Sequence, residues 1–190
     1  MSWYVLFVVT GQEEYVKESL YYRFKKIEND IQFVVPKIVK PERKQGVLKE
    51  VEKTLLPGYV LIEGEIGVDE YYMLKSIPGL VKLLRPEKIL TKASGLEHVK
   101  EIYDNPKQYF AAIPEDEITI LGLILKNGET IGVSTILLEE GDKIRVVEGP
   151  LLGMEGVISK LDFRKNRAKV KLTLLGSERM IDFAIKVLEK

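Results

Sequence analysis

The stretch from Gly141 to Leu161, GDKIRVVEGPLLGMEGVISKL, restricts the fold more than any other part of the chain. Ile144, Val146, Leu151, Val157 and Leu161 are apolar between charged or small residues, the period-two signature of half-buried strands. Gly141, Gly149, Gly153 and Gly156 punctuate the stretch, and Pro150 follows the second of them. Glycine takes positive φ without steric cost, so these positions read as turns between short strands. Strand-like runs at Val157–Leu161, Arg167–Thr173 and Glu178–Phe183 continue the pattern. About five short strands with tight connections predict a small closed β-barrel rather than an open sheet.

With 190 residues, the chain has room for one large or two modest domains with their own cores. It contains no run of roughly 20 apolar residues, the length needed to cross a bilayer. MSWYVLFVVTGQEE has an apolar run without a preceding basic region or a following small-residue cleavage site, which predicts a buried strand and not a signal peptide. The absence of cysteine excludes disulfides and thiolate zinc sites and permits a cytoplasmic location. Net charge is zero but uneven: residues 111–140 carry one basic and six acidic side chains, residues 141–190 eleven and seven. A neutral total argues against indiscriminate nucleic-acid binding and leaves room for a local basic patch.

Trp3–Val9 is apolar, aromatic and β-branched, as in a central strand. Gln12 to about Ile27 predicts a helix, with Tyr15, Val16, Leu20 and Phe24 at near-helical spacing, acids leading and bases trailing. Ile31–Val35 is a second strand, and Lys37–Lys53 reads as two extended arms joined at Gln45-Gly46. Leu55–Ile62 is a strand, Val68–Ser76 a short helix, Leu80–Leu84 a strand and Lys88–Phe110 a terminal helix. This order suits a helix-covered antiparallel α+β sheet better than a parallel doubly wound one. Ile118–Leu125 and Thr130–Ile136 flank Asn127-Gly128, a strong hairpin signal. The domains expected are therefore 1–110, an acidic linker with a β-hairpin at 111–136, and a barrel at 137–190.

The glycine-rich pattern of Gly141–Gly156 resembles the KOW motif. Trp3-Tyr4-Val5, Thr10-Gly11-Gln12-Glu13, Val35-Pro36, Pro57-Gly58-Tyr59-Val60-Leu61-Ile62 and Ser76-Ile77-Pro78-Gly79-Leu80 resemble, in order and spacing, the N-terminal (NGN) domain of the NusG family of transcription factors. The span LKNGETIGVSTILLEEGDKI looks like specialised paralogues of the LoaP type. The resemblance implies an NGN-like domain followed by a five-stranded SH3-like KOW barrel, acting in elongation and antitermination. It also implies an apolar pocket gripping the clamp helices of RNA polymerase's largest subunit. Trp3, Tyr4, Leu56, Pro57, Gly58, Tyr59 and Leu83 occupy the corresponding places, although apolar strand residues are ordinarily core. Tyr71 and Tyr72 stand where some paralogues carry a polar cluster, and Lys75, Lys82 and Arg85 are candidates to face upstream DNA. In the barrel, Leu174-Leu175-Gly176 replaces the aromatic tip offered to Rho or a ribosomal protein.

The sequence points to binding and not catalysis. The one histidine, His98, sits on an expected helix surface, and the glycines of the barrel lie between strands instead of opening a helix. Paired acids such as Glu13-Glu14 read as solvated. No cofactor or metal is expected, nor any membrane association, and the chain is expected to act as a monomer. Lys160, Arg164, Lys165, Arg167, Lys169 and Lys171 form a basic stretch that is either solvated surface or a phosphate-contacting patch. Only Phe163 is interleaved with them, so a structured RNA fits better than base stacking along a single strand. Two other readings are a general NusG-type factor coupling polymerase to Rho or the ribosome, and a KOW-containing ribosome-associated protein that binds rRNA.

Overall fold

The computed structural model describes residues 2–25, 30–83, 113–125, 128–139 and 143–188. The expected helix at Lys88–Phe110, with His98, and the positions Arg85 and Asn127 lie outside these residues. The chain forms two compact units: residues 1–35 with 56–114, and residues 36–55 with 115–190. The segment 36–55, expected within the N-terminal domain, therefore groups with the C-terminal part.

In the first unit, β1 (Trp3–Val8), β2 (Gln32–Val34), β5 (Tyr59–Glu63) and β6 (Leu80–Leu83) form an antiparallel sheet ordered β2-β5-β1-β6. Strand alternation puts Tyr4, Leu6 and Val8 on one face. There they pack with Val60, Ile62, Phe33 and Leu83 against α1 (Glu13–Phe24) and α2 (Val68–Lys75). Val16, Leu20 and Phe24, spaced four apart, are the stripe that α1 buries. Glu70 accepts a hydrogen bond from the Gly67 N–H at 3.0 Å, satisfying a free donor at the start of α2.

In the second unit, β3 (Lys37–Lys44) and β4 (Val47–Thr54) are the two expected arms. Gln45 and Gly46, at φ 51° and 82°, make a two-residue turn with both central residues left-handed, the geometry that matches the twist of a hairpin. The C-terminal sheet runs β10 (Ile158–Asp162), β11 (Arg167–Leu174), β12 (Ser177–Leu188), β8 (Ser134–Glu139), β9 (Lys143–Glu148). β12 serves two neighbours: Ser177–Ala184 pairs with β11, and Ile185–Leu188 pairs in parallel with β8. Ala168, Val170, Leu172 and Leu174 point inward from β11, where Phe183 and Ile185 of β12 are also buried. The last fifty residues thus supply four of the five strands, and β8, which the expected boundary between residues 136 and 137 divides, supplies the fifth.

The hairpin expected around Asn127-Gly128 is not formed. Glu115–Ile124 is a helix, α3, although Ile118–Leu125 reads as a strand. An apolar run of this length does not declare its own period. The acids Glu115, Asp116 and Glu117 in the first turn favour a helix N-terminus, and the Thr119 hydroxyl donates to the Glu115 carbonyl one turn back. Beyond α3, Thr130–Ile136 splits: β7 (Thr130–Ile131) pairs in parallel with β3, and β8 starts at Ser134.

Candidate functional site

Burial divides the expected docking residues of the first unit. Tyr4, only 2% exposed, and Leu83 lie in the helix-covered core, and Leu56 is fully buried. Burial pushes the Tyr4 hydroxyl pKa up. Tyr4 is sealed because the period-two alternation that exposes one side of β1 buries the other. The opposite face of the sheet carries Trp3 and Phe7 on β1, Tyr59 on β5 and Lys82 on β6. Phe7 and Tyr59 are cross-strand partners with ring centroids 5.5 Å apart, and the Lys82 ammonium stands 5.9 Å from the Phe7 centroid. Trp3, Phe7 and Tyr59 are partly exposed, and Lys82 and Pro57 are exposed. Phe7 is the member that motif matching missed, and its place alternating with Tyr4 was the available signal.

A buried carboxylate holds this face. Glu13, 5% exposed, accepts from the Gly11 N–H at 3.0 and 2.9 Å and from the Gly58 N–H at 2.6 Å. Burial pushes its pKa up, and hydrogen bonds from the N–H groups of Gly11, Gly58 and Glu13 itself outweigh that, leaving it below the ordinary glutamate value. The expectation that Glu13 is solvated is therefore wrong: its side chain fastens the Pro57-Gly58 turn to the start of α1. Gly58, at φ 83°, is required there, since a Cβ would meet Thr10 Oγ1 at 3.0 Å and the Phe7 ring at 3.4 Å. Tyr71 is buried and Tyr72 exposed, with ring centroids 5.4 Å apart, and the Lys75 ammonium lies 5.3 Å from the Tyr71 centroid.

The basic stretch of the second unit also divides. Arg167 is not available for phosphate: its guanidinium donates to Asp182 at 3.2 Å and to the Pro41 carbonyl at 2.9 Å. Lys171 pairs with Glu178 at 2.7 Å, and Lys165 lies 3.9 Å from Asp162. Lys160 and Lys169 are direct cross-strand partners, and Arg164 lies in the short 3-10 turn Phe163–Lys165 that joins their strands. All three are exposed and carry no ion pair among the described residues. The strip is thus narrower than six cations. Pairing decides which members remain, and sequence spacing does not show pairing.

At the other end of β11, Leu175 and Gly176 form the β11–β12 turn at φ 55° and 70°. The Glu117 carboxylate, 3% exposed, accepts from both of their backbone N–H groups, at 3.0 Å from Gly176. Among the described residues, no group of three or more His, Cys, Asp or Glu could hold a metal, and no helix is long and apolar enough to cross a membrane.

Two units, each built on β-sheet with helices beside it, define a protein of the α+β class. The NusG family model (transcription termination factor nusG) matches residues 1–119, so the chain belongs to the NusG family. It is 26% identical over 184 residues to the transcription termination/antitermination protein NusG of Streptococcus pyogenes serotype M1, covering 95% of this chain and 91% of that protein. It is 25% identical over 192 aligned positions to NusG of Bacillus subtilis strain 168, covering 100% and 98%. Among solved structures it resembles Thermotoga maritima NusG, with a TM-score of 0.52 at 20% identity, covering 96% of this chain and 93% of that one.

Proposed function

We propose that this NusG-family chain is a specialised, LoaP-type elongation and antitermination factor. Residues 1–110 dock on the clamp helices of RNA polymerase, and residues 137–190 recruit the factor to chosen operons through a structured RNA. Trp3, Pro57, Phe7 and Tyr59 form the docking face, with Lys82 at its margin. Docking suppresses pausing or termination by holding the clamp closed.

The observation that carries RNA recruitment is the pairing of Lys160 with Lys169 across β10 and β11, with Arg164 in the adjoining turn. Three cations without an ion pair among the described residues stand on one hairpin, where they can contact phosphates of a folded RNA, which supply affinity but little sequence information. The general-factor reading keeps the same polymerase docking but assigns the barrel to protein partners. The test titrates the full chain with hairpins from its own operon leaders over a salt series. Selective binding weakened several-fold by Lys160→Ala and Lys169→Ala, with Arg167→Ala acting through stability alone, is the expected result. Equal, weak binding to every RNA, or no effect of Lys160 and Lys169, rejects it.

A further inference from the structure

β12 changes neighbours between Ala184, the last partner of β11, and Ile185, the first partner of β8. A cleft of about 770 Å3 lies against the strand at this point, within the range of about 300–1,000 Å3 of small-molecule sites. Phe163, Leu138 and Val187 give it an apolar lining. Phe163 is 48% exposed, so its ring gains little from packing in its own fold and has surface to offer a ligand. Asn166, in the left-handed position that ends the same turn, adds a donor and an acceptor, and Glu50 an acceptor.

The cleft lies beside the cation strip. Arg167 and Ala184 are cross-strand partners and share a face, which Lys169, two residues along β11, also shares. Two residues of strand span about 7 Å, and Arg164 directly follows Phe163 in its turn. The Arg167 guanidinium, donating to Asp182 and to the carbonyl of Pro41, another lining residue, ties this part of β11 to β3. Charge sorts what goes where. Within the cleft Lys49 and Lys186 are offset by Glu50, whereas Lys160, Arg164 and Lys169 carry no ion pair among the described residues. Phosphates are better served outside, and a flat uncharged ring inside.

We propose that this cleft takes one unpaired nucleobase of the folded RNA, stacked on Phe163, while Lys160, Arg164 and Lys169 hold flanking phosphates. The base site rests on the reading of RNA recruitment given above and supplies what phosphate contacts lack, a means of selecting one RNA. A single exposed ring suits one splayed-out base and not a stacked run, in keeping with Phe163 as the one aromatic residue of the basic stretch.

The probe is the leader hairpin that the full chain binds most tightly, prepared intact and with each unpaired nucleotide in turn made abasic. One abasic position is expected to weaken binding by the wild-type chain about tenfold, the order of one base–aromatic stack. Phe163→Ala should weaken binding of the intact hairpin about as much, and removing ring and base together should cost no more than removing either. Phe163→Tyr, which keeps a stacking ring, should retain the affinity, and Phe163→Leu, which keeps only bulk, should not. Lys160→Ala should instead weaken intact and abasic hairpins alike. Additive losses, rescue by leucine, or indifference to Phe163 and to every abasic position in a chain that still needs Lys160 overturns the base site and leaves phosphate recruitment standing. Absence of any selective RNA binding overturns both.

Discussion

Glu13 shows how one side chain shapes a surface it does not belong to. Its carboxylate is nearly inaccessible, yet it remains ionised because three backbone N–H groups point at it. Replacing it with glutamine turns an amide NH2 toward at least one of those donors. A buried donor left without an acceptor costs about 1–3 kcal/mol, and Gly58, the buried one, bears most of that. Trp3 is the single tryptophan and lies in the same unit, so urea unfolding followed by its fluorescence reports the loss directly. The pH dependence has a fixed sign. A carboxylate whose folded pKa is lowered contributes stability that is fully present above its unfolded value, near 4.5, and is lost as pH falls through the folded value. The gap between wild type and Glu13→Gln should be constant from neutral pH to about 4.5, then close in more acidic solution. A gap that widens on acidification would show that the carboxylate is not held as described.

The turns of the C-terminal sheet show what the glycine pattern encodes. Gly149, at φ 99°, passes so close to β8 that a Cβ would stand 2.6 Å from both Ser134 Cα and the Val133 carbonyl oxygen. The neighbouring Leu151 N–H donates to the buried Ser134 hydroxyl at 3.1 Å, so this turn clamps the start of β8. Gly153 also has positive φ, 76°, but open space around it. Gly149→Ala should cost about 3 kcal/mol, left-handed strain plus overpacking against backbone, and Gly153→Ala only about 1 kcal/mol. Amide exchange in β8 and β9 ranks the two, and equal effects would mean that backbone contact is unimportant. The glycines, the alternating strands and the helices α1 and α2 were legible because each rests on a local rule. α3 was not, since ITILGLIL satisfies strand and buried-helix patterns alike and only its acidic first turn distinguishes them. Nor were the roles of Glu13, Glu117 and Arg167, each of which has a partner far off in sequence, at 45, 58 and 126 residues.

At the scale of the whole molecule, the first unit separates residues that hold the fold from residues that can meet another protein. Tyr4 and Phe7 are both aromatic residues of β1, and motif order alone favours Tyr4 as the docking residue. Alternation reverses that choice: Tyr4 belongs to the helix-covered core, whereas Phe7 shares its face with Tyr59 and Lys82. If that face docks on polymerase, Phe7 and Tyr59 are its aromatic anchors, and removing a central anchor from an interface costs about 2 kcal/mol or roughly 30-fold in affinity. Phe7→Ala and Tyr59→Ala should each weaken capture of RNA polymerase by that order. Their unfolding should shift far less than that of Tyr4→Ala, since truncating a buried aromatic costs about 3–5 kcal/mol of stability. Binding measured below each variant's melting range separates the two effects. If Tyr4→Ala, kept folded at low temperature, loses polymerase while Phe7→Ala retains it, the docking surface is not the open face of the sheet, because a side chain sealed in the core has no route to a partner.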